Sequence, residues 1–228
     1  RLKINKEIVM EQSKLSESQE DYLKNIYKLS EEGEAVPTML LSDELAVKPA
    51  SVTNMLKKLA EMKLLLHQPY KGVRLTEAGE KVALEIIRHH RLLELYLSEV
   101  LGYGWEEVHD EAERLEHVIS ENFEAKIAEM LGHPRHDPHG DPIPTPELEL
   151  PDGPSLISLN NIKPGAEGTI KRVTSQDTDV LNMLSRLELF IDSRVKAIEH
   201  ERDGIRIEVN SNRYLLPAIL ATQIWIEK

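Results

Sequence analysis

The sequence predicts a mainly α protein with a small β domain, arranged as a winged helix-turn-helix, a helical dimerisation domain and a C-terminal SH3-like barrel. Three observations carry this. Residues up to about 131 are dense in apolar residues at helical spacing. Residues 132–154 then hold seven of the chain's twelve prolines, from Pro134 to Pro154. Proline fixes φ and removes an amide donor, so this stretch reads as an extended linker or an irregular domain edge. After it come short β-like runs, 168–173, 194–199, 205–209 and 224–226, with a helical segment near 177–185. That pattern suits a mostly-β domain of roughly seventy residues. The expected domains are 1–79, 80–150 and 151–228.

Each element has a local cause. A helix over 18–29 follows Ser18 as its cap and carries an apolar face of Tyr22, Leu23, Ile26, Tyr27 and Leu29. Residues 38–45 form a short second helix, and Pro49, tolerated in a first turn, opens a third to about residue 62. Two short strands, 64–67 and 73–75, flank 68–72. Thr76-Glu77-Ala78-Gly79 starts a long helix towards residue 101, and a further helix covers about 105–122, continuing to 131. Trp105, Phe123 and Trp225 read as core.

Composition excludes several function classes. The chain of 228 residues has no cysteine, which removes disulfide frameworks, thiolate zinc sites, iron–sulfur clusters and a cysteine nucleophile. Its apolar runs are only a few residues long, and no signal-type segment follows Arg1. A soluble cytoplasmic protein without membrane contact is expected. The formal charge of −12 argues against broad nucleic-acid affinity. Its distribution says otherwise. Between residues 45 and 76 lie Lys48, Lys57, Lys58, Lys63, Lys71 and Arg74 against the single Glu61, a local excess of six minus one, or +5.

Helix, turn, helix and a two-stranded wing form the order of a winged DNA-reading unit. Leu41, Leu45, Val52, Leu56 and Leu59 make its inner face. Residues at the start of the recognition helix reach base edges, which selects Lys48, Ala50, Ser51 and Asn54, with Asn54 suited to adenine. Thr53, Lys57, Tyr70, Lys71 and Arg74 hold the phosphate backbone. The bland alternative is a helical hairpin whose basic face only solubilises it, and the wing argues against that.

A second constellation is acidic. Residues 106–124 hold eight carboxylates and one arginine, and His109, Glu113, Glu116 and His117 recur at i, i+4, i+7 and i+8 on one side of the expected helix. Val108, Ala112, Leu115 and Ile119 form an adjacent apolar stripe. On the preceding helix His90 and Glu94 share a face. One His–Glu pair is weak evidence, but two such sets on successive helices favour a metal site over a solvated face. Carboxylates and imidazoles without sulfur suit manganese, iron(II) or zinc, and Mn²⁺ prefers oxygen-rich sites. Because Mn²⁺ binds weakly within the divalent series, copper or zinc can bind as tightly without being the effector. The linker histidines His133, His136 and His139 read as exposed or structural.

The residues at this point resemble the diphtheria-toxin-repressor family of metal-dependent transcription factors in its three-domain form. The likeness lies in Asp21-Tyr22-Leu23 with Ile26-Tyr27, Pro49-Ala50-Ser51-Val52-Thr53, Leu75-Thr76-Glu77-Ala78-Gly79, Arg88-His89-His90-Arg91-Leu92-Leu93-Glu94 and Val108 through His117. His139-Gly140-Asp141-Pro142-Ile143-Pro144 also looks like the family's pattern. The resemblance implies a last domain of FeoA-like, SH3-like type and a homodimer on a palindromic double-stranded operator of transition-metal uptake genes.

It implies a principal metal site of Asp21, Glu113, Glu116 and His117. Iron-sensing members carry methionine and cysteine at the positions of Asp21 and Glu113, so two carboxylates place this chain with the manganese-responsive branch. Mn(II) is the expected cofactor and Fe(II) the alternative, while Zn(II), Co(II) or Cd(II) can fill the sites in vitro. A second site would use His90, Glu94 and His109, completed by Asp177 with Asp179 as its rival. The family's other ligand from that domain falls on Val180, which cannot coordinate, and a first-helix glutamate of smaller manganese members is Lys24 here.

The mechanism expected is a population shift, in which metal bound by Asp21 and the 113–117 turn favours one orientation of the reading heads. Activation should weaken as the ligand histidine protonates below about pH 6.5. Two rivals remain, a dinuclear hydrolase and a winged-helix regulator sensing an organic ligand.

Overall fold

The computed structural model describes residues 15–30, 33–68 and 70–228. The chain forms two compact units, one from the described residues up to His89 with Pro144–Glu149, the other from His90–Ile143 and Leu150–Lys228. Among the described residues no helix is long and apolar enough to cross a membrane.

The first unit is the expected winged helix-turn-helix. Helix α1 runs Glu17–Leu29, and its cap is Ser16 rather than Ser18, because Gln19 three residues on closes a capping box. Helix α2 (Thr38–Glu44) and helix α3 (Pro49–Glu61) follow, the latter opened by proline in its first turn. Strands β1 (Leu65–Gln68) and β2 (Gly72–Leu75) pair antiparallel, from Leu65 opposite Leu75 to Gln68 opposite Gly72. Leu23, Ile26, Leu41, Val52, Leu56, Leu59 and Val73 make a fully buried core. Burying such side chains contributes about 1.5–3 kcal/mol each. Gly72 is required. Its φ is +126°, and a Cβ there would lie 2.0 Å from the Val36 carbonyl oxygen.

Helix α4 (Glu77–Glu99) contributes its half from His90 onward to the second unit. Where the sequence suggests one helix over 105–131, the structure has two, α5 (Val108–Leu115) and α6 (Glu121–Met130). The break has a local cause. Glu116 closes α5, and the Ser120 hydroxyl accepts from the Phe123 amide at 3.2 Å to cap α6. Leu92, Leu93, Val108, Ala112, Ile127 and Ala128 pack together with Ile143 of the proline-rich stretch. Phe123 is a correction: in the first turn of α6 it is 46% exposed, whereas Ile127 one turn on is buried. Trp105 and Trp225 are half-buried.

The stretch 132–154 is likewise not an extended linker throughout. The Asp137 amide donates to the Asp141 carbonyl at 3.0 Å and the Ile143 amide to the Arg135 carbonyl at 2.8 Å, folding the chain into a tight turn. The Asp137 carboxylate supplies acceptors that the prolines leave available for few donors, taking the amides of His139 and Asp141 at 2.8 and 2.9 Å.

Beyond it lies a six-stranded antiparallel sheet in the order β3-β8-β4-β5-β6-β7. Its strands are β3 (Ile157–Ser158), β4 (Glu167–Val173), β5 (Arg194–Glu201), β6 (Gly204–Val209), β7 (Asn212–Pro217) and β8 (Ile224–Glu227). Helix α7 (Thr178–Arg186) follows β4, and α8 (Ala218–Ala221) precedes β8. Two strands escape the sequence pattern. β3 has only two residues, and β7 buries one side chain, Leu216.

Candidate metal centre and DNA-reading surface

The metal-type residues converge around α4. His90 and Glu94 lie one turn apart, buried at 3% and 0% exposure. The Nε2 atom of His90 stands 3.0 Å from Glu94 Oε1 and 3.0 Å from His109 Nδ1 of α5, and His109 Nδ1 is 3.3 Å from the same carboxylate oxygen. At the other edge of the ring His90 Nδ1 meets Glu116 Oε2 at 2.5 Å and Glu113 Oε2 at 3.5 Å, and His117 Nε2 lies 3.3 Å from Glu116 Oε1. His90 thus joins the residues assigned to two separate sites. Unlike the single helical face expected, α5 ends at Leu115, and the αR cap at Glu116 keeps its carboxylate on the line of His109 and Glu113.

A second cluster was missed in the sequence. Glu94, Asp137 and His139, all buried, bring one ligand atom each to within 4.8 Å of one another. His139, expected as exposed or structural, has no exposed surface. The only sequence signal was its position in the turn Asp137-Pro138-His139-Gly140. Three buried atoms here, Glu94 Oε2, Asp137 Oδ2 and His139 Nδ1, have no hydrogen-bond partner. Buried polar atoms are nearly always paired, so orphans on three residues of one such cluster fit a divalent cation. Oxygen and imidazole nitrogen without sulfur suit Mn, Fe(II) or Zn.

The electrostatics agree. Burial pushes the Asp137 carboxyl up to about 8, and the Glu94 and Asp141 charges add to it. Burial alone would depress His90, but Glu94 and Glu116 outweigh it and raise the imidazole to about 9. Burial opposes and the Glu94 and Asp137 carboxylates raise His139 to about 9 likewise. Glu94 lies well below the usual carboxylate range, burial being outweighed by His90, His109 and His139. Protons therefore compete with a cation at higher pH than an unperturbed histidine implies.

Other expected ligands are placed as follows. Asp177 is exposed at the start of α7, where its Oδ1 accepts from the Val180 amide at 3.0 Å as a helix cap. Asp179 is exposed in the first turn, and Val180 packs against the sheet-domain core. Asp21 lies half-buried on α1 in the first unit, one turn before the buried Lys24.

The nine expected DNA contacts share one property. Lys48, Ala50, Ser51, Thr53, Asn54, Lys57, Tyr70, Lys71 and Arg74 are all exposed, while Val52, Leu56 and Leu59 between them face the core. The Thr53 hydroxyl donates to the Pro49 carbonyl at 2.9 Å, leaving lone pairs for an incoming donor. Tyr70 sits at the wing turn with φ +63° and a wholly exposed ring.

Three family descriptions match successive parts of the chain. Residues 14–73 match the iron dependent repressor N-terminal DNA binding domain, 76–145 the iron dependent repressor metal binding and dimerisation domain, and 157–228 the FeoA domain. The iron-dependent repressor IdeR of Mycobacterium tuberculosis is 30% identical, over 95% of this chain and 99% of its own. The solved structure of a manganese-dependent transcriptional repressor in complex with manganese is 36% identical, with a TM-score of 0.83 over 91% of this chain and 98% of that one. ScaR with bound Cd²⁺ is 32% identical at a TM-score of 0.80, covering 92% and 99%.

Proposed function

The chain belongs to the iron-dependent repressor family of metal-dependent DNA-binding transcriptional repressors, which are not enzymes, and on that premise we propose that it is a manganese(II)-activated repressor of transition-metal uptake genes, working in the cytoplasm as a homodimer on a palindromic operator. One observation carries the choice of metal. Every candidate donor is a carboxylate oxygen or an imidazole nitrogen, and carboxylates stand at Asp21 and Glu113, the two positions where the resemblance places softer donors in iron sensors.

By the family resemblance, Asp21 of α1 would hold the principal cation with Glu113, Glu116 and His117. A second takes His90, Glu94 and His109, and the buried set of Glu94, Asp137 and His139 supports a further one. The cation supplies compact positive charge and fixed ligand directions. The protein's residues do the rest. Glu116 and Glu94 present oxygens to both edges of His90, which keeps the ring oriented for either ion. Asp21, carried on the helix that shares a core with α3, transmits ligand order to Asn54 and Lys57. Binding the apo state less well than the DNA-competent one, metal shifts the population towards the latter.

Exposed Leu101, Tyr103, Val118, Phe123 and Met130 supply the apolar surface of the homodimer. The test is direct. Mn²⁺ titrated into apo protein should raise affinity for a labelled metal-uptake promoter carrying an inverted repeat, and a flat response across the titration would sink the proposal. Fe²⁺ under anaerobic conditions, run beside it, decides the iron reading that the mycobacterial likeness supports.

A further inference from the structure

His139 is held on two sides by groups that the metal reading does not use. Its Nε2 lies 2.8 Å from the Trp105 carbonyl oxygen, so Nε2–H donates there, and in the neutral, cation-binding form of the ring Nδ1 carries the lone pair on the side of Glu94 Oε2, 3.8 Å away. The Trp105 indole stacks on the imidazole, with centroids 5.7 Å apart and planes 22° from parallel. The indole N–H in turn donates to the Ser185 hydroxyl at 2.8 Å, and Ser185 donates to the Leu181 carbonyl of its own helix, α7, at 3.0 Å. Phe190, also of the sheet domain, packs on the indole at 5.7 Å. On the opposite side the His139 carbonyl accepts from the Val173 amide of β4 at 2.8 Å. Gly140, at φ +84°, sits against the Lys171 carbonyl so closely that a Cβ would lie 1.9 Å from its oxygen.

The Trp105 carbonyl thus fixes the tautomer of His139, and the indole that stacks on the ring is in turn held by Ser185 and Phe190 of the C-terminal domain. We propose that Trp105 is a positioning residue that couples docking of the C-terminal sheet domain, through Ser185, to cation affinity at the Glu94–Asp137–His139 cluster. The inference rests on the reading of that cluster as a cation site. Outer partners of ligand histidines change metal affinity by about 10–100-fold when removed. Because coupling is reciprocal, a cation at the cluster also tightens the domain's hold on Trp105.

The experiment uses the full chain with Trp225→Phe as parent, so that Trp105 is the sole indole. Mn²⁺ is titrated and followed by calorimetry and by indole emission. Ser185→Ala and Trp105→Phe should each weaken one class of Mn²⁺ site about tenfold and leave the others within twofold. Ser185→Thr, which keeps the hydroxyl, should restore affinity, and parent emission should change in step with filling of the same site. His139→Ala separates the two levels of argument. If it binds as many Mn²⁺ ions as the parent, the cluster is not a cation site and the proposal falls with it. If His139→Ala loses one ion per chain while Ser185→Ala and Trp105→Phe keep parent affinity, the coupling alone is overturned. Lowered apo thermal stability in those two variants, with every Mn²⁺ class unchanged, overturns it equally, since that marks a merely structural contact.

Discussion

Two candidate cation clusters border one carboxylate, with Glu94 Oε1 against His90 and His109 and Oε2 toward His139, and they are built in opposite ways. The His90–His109–Glu113 set is assembled from helix faces one turn apart, and two of its three members are half-exposed. The Glu94–Asp137–His139 set is sealed, drawing two members from a turn between the helical and sheet domains, and all three are buried. Water reaches a half-exposed set when no ion is present, whereas the sealed one leaves three buried polar atoms without a hydrogen-bond partner.

Breaking the shared member should have the largest effect. Glu94→Ala removes an oxygen from both clusters, and calorimetry should show Mn²⁺ affinity falling on the order of a hundredfold at each. It also strips three histidines of a buried carboxylate, so thermal unfolding of the apo protein should show a loss of about 3–5 kcal/mol. Retention of either site at parental affinity would show that the clusters are independent.

Asp137→Asn separates them. It keeps the acceptor for the His139 and Asp141 amides but removes a carboxyl that can ionise to bind a cation. Mn²⁺ affinity at the sealed cluster should drop at least about tenfold and the half-exposed one should keep its own. His109→Ala is the mirror test, with a loss of about tenfold confined to the half-exposed set.

The smallest effects lie outside both clusters. Asn54→Ala should cost about 1–3 kcal/mol of operator binding at one base position with Mn²⁺ binding intact, read by competition with single-base operator variants. Lys57→Ala should weaken all sequences evenly and lower the salt slope by about one.

The contrast also explains what the amino-acid order reveals. His90, Glu94, His109 and Glu113 lie on or beside helices, where a 3.6-residue period turns spacing into proximity. The winged unit is legible for the same reason, since apolar period, Pro49 and the basic excess all point one way. Asp137 and His139 sit among prolines in a turn, where no period relates spacing to distance. Their convergence on Glu94 depends on contacts with β4 and Trp105 more than thirty residues away. The break between α5 and α6 was hidden because the run 116–120 continues the helical apolar pattern, and only the capping geometry of Ser120 ends it. Asp177, which the resemblance makes a ligand of the second site, has its Oδ1 on the Val180 amide as the cap of α7.

The central claim is that a divalent cation among these carboxylates and histidines sets affinity for DNA. Fluorescence anisotropy of a labelled inverted-repeat promoter fragment, titrated with apo protein at fixed ionic strength with and without Mn²⁺, measures it in one experiment. The account predicts that Mn²⁺ strengthens binding by at least about a hundredfold, or roughly 2.7 kcal/mol of differential affinity for the DNA-competent state. Equal affinity with and without the ion, in protein that calorimetry shows to be metal-loaded, would contradict it.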